Sequence, residues 1–319
     1  MKARTYALLL IMVGAGVFLA VAGANLVIDP QGVFGTSLFG GARNVNDRYA
    51  TVVAYQANPD RYDGVLLGSS RALDVPLDEL SRRMNAAGFA KFAVVGGMLT
   101  DHVAALEYVV RDKAATARRL KAVFLLLDVD LMGQPPYTNR SNQFLMPPAL
   151  SGENPSRFWW KNLAAIQFKV WRSAIADARG GEIGIGATPV QPAPGPVDTP
   201  AGVGFRVTAT AEFRRQLRLL ERLVALCRAQ AIELVVATPP LHPQHMRRYD
   251  PPDFSHAMDL VARIVPVWDF TDLGNVSGQR ELWIDISHFH PWIVRVMLNR
   301  MFGDPLPEAW RGFGQYRSG

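Results

Sequence analysis

Val65-Leu66-Leu67-Gly68-Ser69-Ser70-Arg71 is the stretch from which the fold is read. A run of apolar residues with no polar alternation does not fit a strand with one wet face. It fits a strand buried on both sides in a parallel sheet. Gly68 ends the run with a residue free to turn tightly, and the two serines and the arginine open a polar loop. Asp74 then reads as a helix N-cap and Pro76 as a first-turn residue, which predicts a helix to about residue 87.

The same alternation continues outward from this unit. Residues 92–95 predict a second strand that stops at Gly96-Gly97, and Thr100 or Asp101 caps a helix with Val103, Leu106 and Val110 on one face. Residues 123–127 predict a third strand, ending at Asp128. From about residue 133 to 207 the pattern breaks. Residues 159–177 read as helix, and residues 180–200, rich in Gly and Pro and without Lys or Arg, read as a long surface loop. The pattern resumes with Phe213, Leu217, Leu220, Val224 and Cys227, an apolar helical stripe on which the single cysteine is a buried thiol. Residues 232–237 and 264–268 predict the fourth and fifth strands, and residues 289–301 a closing helix with Pro291 in its first turn. Strands alternating with helices predict an α/β fold with a doubly wound parallel sheet. In such a sheet the working residues lie on loops at the carboxyl ends of the strands.

The chain has 319 residues, enough for one α/β domain and an appendage. Its net charge of +6 comes from scattered pairs such as Arg82-Arg83 and Arg247-Arg248, with no basic stripe interleaved with aromatics. That distribution argues against nucleic acid as a partner. The appendage is at the start: residues 6–28 contain no charged side chain and follow Lys2 and Arg4. As a helix they rise about 35 Å, sufficient for a hydrocarbon core of about 30 Å. The cationic end should stay in the cytoplasm, which predicts a single-pass inner-membrane anchor over residues 1–28 with the remainder on the periplasmic side. Ala22-Gly23-Ala24 resembles a signal-peptidase site, but the apolar run continues past it, which favours an uncleaved anchor. The predicted organisation is an anchor (1–28), a juxtamembrane connector (29–60), a catalytic-type domain (61–310) with a loop insertion at about 133–207, and a tail (311–319).

Two blocks carry candidate chemistry. A serine just past a buried strand, beside a glycine and before a helix, suits a nucleophile whose neighbouring N–H groups face an oxyanion. Near the C-terminus stands Asp285-Ile286-Ser287-His288. An Asp three residues before a His can hold the imidazole Nδ1 and leave Nε2 to take a proton from serine. His242 and His245 follow the fourth strand on the same predicted edge and are substrate-side candidates. A metal site built from His242, His245, His288, His290 and Asp285 is a weaker reading, because no ligand pair has helical i, i+4 spacing.

With these blocks in this order, the chain resembles the SGNH (GDSL-type) hydrolases, most closely membrane-anchored bacterial members with a Gly-Ser-Ser-Arg block. The resemblance spans roughly residues 61–303 apart from the insertion. It implies a three-layer α/β/α, flavodoxin-like domain, with Ser70 as nucleophile in Gly68-Ser69-Ser70 and with Asp285 and His288 completing a triad. It also implies an oxyanion hole from the backbone N–H groups of Ser70 and Gly97. Where the family has an asparagine after the third strand, this chain has Asp128 and Asp130. A carboxylate donates to an oxyanion only when protonated. Either the hole relies on backbone N–H groups, or Asp128 has another part, such as holding the nucleophile loop; Arg71 is a further candidate for supporting the site.

The expectation is therefore a serine O-acyltransferase or esterase acting on acylated polysaccharide or glycolipid of the cell envelope. It would need no cofactor and no metal, and a membrane partner would export its acyl groups. The alternatives are a catalytically silent carbohydrate-binding or scaffold component and, third, a metal-dependent hydrolase.

Overall fold

The computed structural model describes residues 3–36, 45–135, 142–168, 170–172 and 204–319. The predicted Gly/Pro-rich loop at 180–200 lies outside them. The chain divides into two compact units, Met1–Ala54 with Tyr137–Ala187, and Tyr55–Pro136 with Thr188–Gly319.

In the first unit, helix α1 (Ala3–Ile28) is long and apolar enough to cross a membrane. It ends where Asp29 takes a left-handed backbone (φ 44°) and its carboxylate accepts the N–H groups of Val33 at 2.9 Å and Gly35 at 2.7 Å. These bonds turn the chain away from the helix axis. Helix α2 (Asp47–Ala57) contains the boundary between the units. Two short helices follow in the insertion, α5 (Pro148–Ser151) and α6 (Pro155–Ala164), each with proline in its first turn. Val33, Leu145 and Phe158 form a small buried cluster with Phe34, Tyr49 and Trp159 packed on it. Most of the predicted connector, up to Ala54, and the part of the predicted insertion from residue 142 to 172 thus belong to one packed unit, while residues 55–60, 133–135 and 204–207 belong to the other. Sequence order hid this because the two pieces are about a hundred residues apart.

The second unit holds a six-stranded sheet in the order β2-β1-β3-β4-β5-β6. The strands are β1 (Gly64–Gly68), β2 (Phe89–Ala93), β3 (Ala122–Leu126), β4 (Glu233–Ala237), β5 (Val267–Asp269) and β6 (Gln315–Arg317). The first five are parallel and β6 is antiparallel. Every residue of β1 and β3 is buried, as their unbroken apolar runs require. On one face, Leu66, Phe124 and Leu126 join a core with α3 (Leu77–Arg83) and α10 (Trp292–Met301). On the other, α4 (Leu99–Ala115) packs on β1 and on α7 (Ala211–Ala229), which also meets β4 and α9 (Pro251–Ile264). Cys227 is buried on α7, and burial pushes its thiol up to about 12, consistent with a packing role.

Several boundaries differ from expectation. Strand β2 begins at Phe89, three residues early, because it is an edge strand whose Lys91 faces solvent and interrupts the apolar run. Strand β5 starts at Val267 because the amphipathic helix α9, with Phe254, Ala257, Met258 and Val261 buried, carries through to Ile264. Helix α3 starts at Leu77 with Pro76 as its cap residue and stops at Arg83. Residues 311–319 are not a loose tail. Their strand β6 covers the β5 edge, Arg317 Nε bonds Asp269 at 2.8 Å, and Gly319 N–H reaches the Ala262 carbonyl at 3.1 Å.

Candidate active site

Strand β1 delivers the nucleophile candidate. A Cβ on Gly68 would lie 2.5 Å from the Ala72 methyl, so only glycine permits the turn that follows the strand. Ser69 and Ser70 then have different fates. Ser69 is buried, and its hydroxyl accepts the Arg71 N–H at 3.2 Å as cap of the 3-10 turn Ser70–Ala72. Ser70 is half-exposed, and its Oγ lies 2.9 Å from His288 Nε2.

His288 and Asp285 come from a short hairpin. Trp283 and Phe289 form an antiparallel bridge, and the Ile284 N–H donates to the His288 carbonyl at 2.9 Å. The turn points both side chains the same way, so His288 Nδ1 meets the Asp285 carboxylate oxygens at 2.9 and 3.0 Å. A proton on Nδ1 satisfies both contacts and leaves the Nε2 lone pair for the Ser70 hydroxyl. Burial opposes the Asp285 charge. The His288 ring and the backbone N–H groups of Ser287 and His288 nevertheless hold its pKa below the usual carboxylate value.

Behind these groups lies a buried ionic cluster. Arg71 Nη1 donates to Asp128 at 2.5 Å and to Asp130 at 2.8 Å, and Nη2 donates to Asp130 at 3.0 Å. Its Nε donates to the Ser287 carbonyl at 2.8 Å, next to His288 in the chain. One guanidinium therefore joins the loops after β1 and β3 to the hairpin that carries His288. Its planar fork is suited to this, and a lysine ammonium would not reproduce it. Burial opposes the charge on Asp130 as well, but Arg71 and His245 hold its pKa well below the ordinary carboxylate range. Burial pushes Asp128 the other way, above its usual value, and the Asp130 charge adds to this against the pull of Arg71. The two neighbouring carboxylates are thus shifted in opposite directions.

Of the two substrate-side histidines expected, only His242 has an open setting. It lines a groove of about 730 Å3 together with Arg280, Trp283, Ile284, Asp285 and His290. Its Nδ1 accepts the Gln244 N–H at 3.0 Å, which leaves the proton on Nε2. Burial lowers its pKa, with His245 and Arg247 adding to this, so the ring is neutral near neutral pH. His245 differs from expectation. It is buried in the turn Pro243–Met246 (α8), with Nε2 2.9 Å from Asp130, and supports the ionic cluster.

Gly97 sits against the end of β1, where a Cβ would lie 2.8 Å from the Gly68 carbonyl. Its N–H donates to the Val94 carbonyl at 2.9 Å and is therefore spent within its own turn. The Ser70 N–H, by contrast, has no backbone acceptor among the described residues. Among the described residues no three His, Cys, Asp or Glu side chains are grouped to hold a metal. Asp130 is visible in the sequence, but its partners are not. A second acidic residue past a strand was the available signal, but Arg71 and His245 are 59 and 115 positions away.

No protein-family model matches this chain, and a comparison with curated proteins finds no significant match, so the functional reading rests on the geometry of the site.

Proposed function

We propose that the second unit is an SGNH-type, flavodoxin-like domain that transfers or hydrolyses O-acyl groups on cell-envelope carbohydrate. In this reading α1 anchors the chain as a single pass and the domain lies outside the cytoplasm. The observation that carries the proposal is the continuous chain from Ser70 Oγ through His288 to Asp285, with contacts of 2.9 Å at each link. The strand order 2-1-3-4-5 and the position of Ser70 at the carboxyl end of β1, beside the reversal in strand order, support it.

In the first step Ser70 Oγ bonds to the acyl carbonyl carbon while its proton passes to His288 Nε2. Asp285 steadies the imidazolium. The carbon–oxygen bond to the donor alcohol then breaks, and that alcohol leaves with the proton from His288. Water or an acceptor hydroxyl next gives its proton to His288 and attacks the acyl-Ser70 ester. The products are a free acid or a new ester, and Ser70 is regenerated. The Ser70 N–H is available to the oxyanion.

A fluorophosphonate probe tests this reading. Covalent labelling of the full chain that disappears in Ser70→Ala and persists in Ser69→Ala is the expected result. Labelling that survives Ser70→Ala would overturn it. The commitment of the Gly97 N–H to Val94 favours one rival, a catalytically silent carbohydrate-binding component. Absence of labelling together with retained glycan binding would select that rival.

A further inference from the structure

We propose that residues 155–172 form a second membrane contact, a surface that enters the outer boundary of the bilayer beside α1. The inference rests on the reading that α1 spans the membrane. Every described residue of α1 up to Val17 is exposed, and Phe18 is the first to be partly covered. What covers it is Trp160 of α6, stacked on the Phe18 ring at 4.8 Å between centroids. A hydrocarbon core of about 30 Å takes about twenty helical residues, so a core that begins at Arg4 ends close to Asn25. Phe18 lies about 10 Å inside that limit. A side chain stacked on Phe18 therefore has to enter the acyl region, within the depth of about 5–10 Å reached by amphipathic segments at membrane interfaces.

The composition of the segment fits that position. Trp160 remains 57% exposed, Ile166 61% and Phe168 71%, three large apolar side chains open to the surroundings on the segment that packs on α1. Tryptophan favours the interface because its ring is apolar and its N–H is polar. Arg157 and Arg172 are exposed on the same segment, where they can meet lipid headgroups.

The pairing of α6 with α1 is also secured by a polar contact. The Asn25 amide, fully buried, donates to the carbonyls of Leu163 and Ala165, both at 2.8 Å, and its oxygen accepts the Trp171 indole N–H at 2.9 Å. An amide at the edge of the hydrocarbon needs such partners, because lipid offers none. These bonds fix the height of residues 155–172 on α1, so insertion of α1 carries the segment into the lipid. The chemistry of the occupant is that of acyl chains below a layer of headgroups.

Depth-dependent quenching tests the proposal on the full chain in phosphatidylcholine–phosphatidylglycerol nanodiscs. In a Cys227→Ser background, an environment-sensitive fluorophore is attached at Phe168→Cys and, separately, at Val13→Cys within α1. Lipids carrying a quencher near the headgroup or deep in the chain are then compared. The Phe168 label should lose fluorescence mainly to the shallow quencher and the Val13 label mainly to the deep one. A Val13 label quenched as expected beside an unquenched Phe168 label would overturn the second contact and leave the anchor standing. An unquenched Val13 label would overturn both.

Discussion

The exposed and buried halves of the candidate site use the same kinds of residue to opposite ends. Ser70, His288 and Asp285 are half-exposed or exposed, and their bonds leave Nε2 a lone pair and Oγ a proton to exchange. Arg71, Asp128, Asp130 and His245 are buried within a few ångströms of one another, and the guanidinium is engaged through all three of its nitrogens. A histidine beside an aspartate thus faces an accessible serine hydroxyl in one place and braces a buried ionic cluster in the other. What separates them is access to solvent and whether the second ring nitrogen faces a hydroxyl.

That contrast can be broken most sharply at Ser70. If the proposed chemistry holds, Ser70→Ala or His288→Ala lowers kcat by up to about a millionfold, as for residues that act together in other triads. Their thermal midpoints should hardly move, because neither side chain is part of a core. Ester turnover and a melting curve on the same preparation check both halves of the expectation. Asp285→Asn comes next, with a loss of about ten-thousandfold in kcat from the wrong His288 tautomer.

Substitutions in the buried half should reverse the balance. Asp130→Ala leaves Arg71 short of its main counter-charge, and a broken buried pair typically costs about 3–5 kcal/mol. Denaturant unfolding should show that loss directly, with activity falling only as the fold fails. Asp130 and Asp285 have lowered pKa values, so their stabilisation is complete above the ordinary carboxylate value of 3.8 and is lost as pH falls through their lower folded values. Asp128 has the opposite sign. Its raised pKa makes ionisation cost stability as pH rises above 3.8. Asp128→Asn should therefore be better tolerated relative to wild type at pH 7 than at pH 3, and a large loss at pH 7 would show that Asp128 is needed as an anion. Ser69→Ala is the smallest effect, about 1 kcal/mol for a lost cap, with kcat nearly unchanged.

The first unit offers a parallel contrast to this site. Asn25→Leu leaves two carbonyls and an indole N–H without partners at the α1–α6 contact, at a cost on the order of 2 kcal/mol or more. Proteolysis within residues 142–172 should then accelerate, while Ser70 keeps its labelling by the probe.

Short apolar runs such as Val65-Leu66-Leu67 and heptad-like spacings such as Phe213 to Cys227 determined the α/β alternation on their own, because backbone period and burial act locally. The same is true of α1 and of the pairing of Asp285 with His288, which are three residues apart, though not of the hairpin that presents them. The tertiary structure alone decided which serine faces outward, that His245 supports Asp130, that Gly97 spends its N–H on Val94, and that a polar C-terminal tripeptide closes the β5 edge. It also decided that residues before and within α2 share one core with the distant insertion. The physical reason is common to these cases. A buried polar group or an open strand edge must find a partner, but the chain does not state which of many distant candidates will reach it until the backbone has folded.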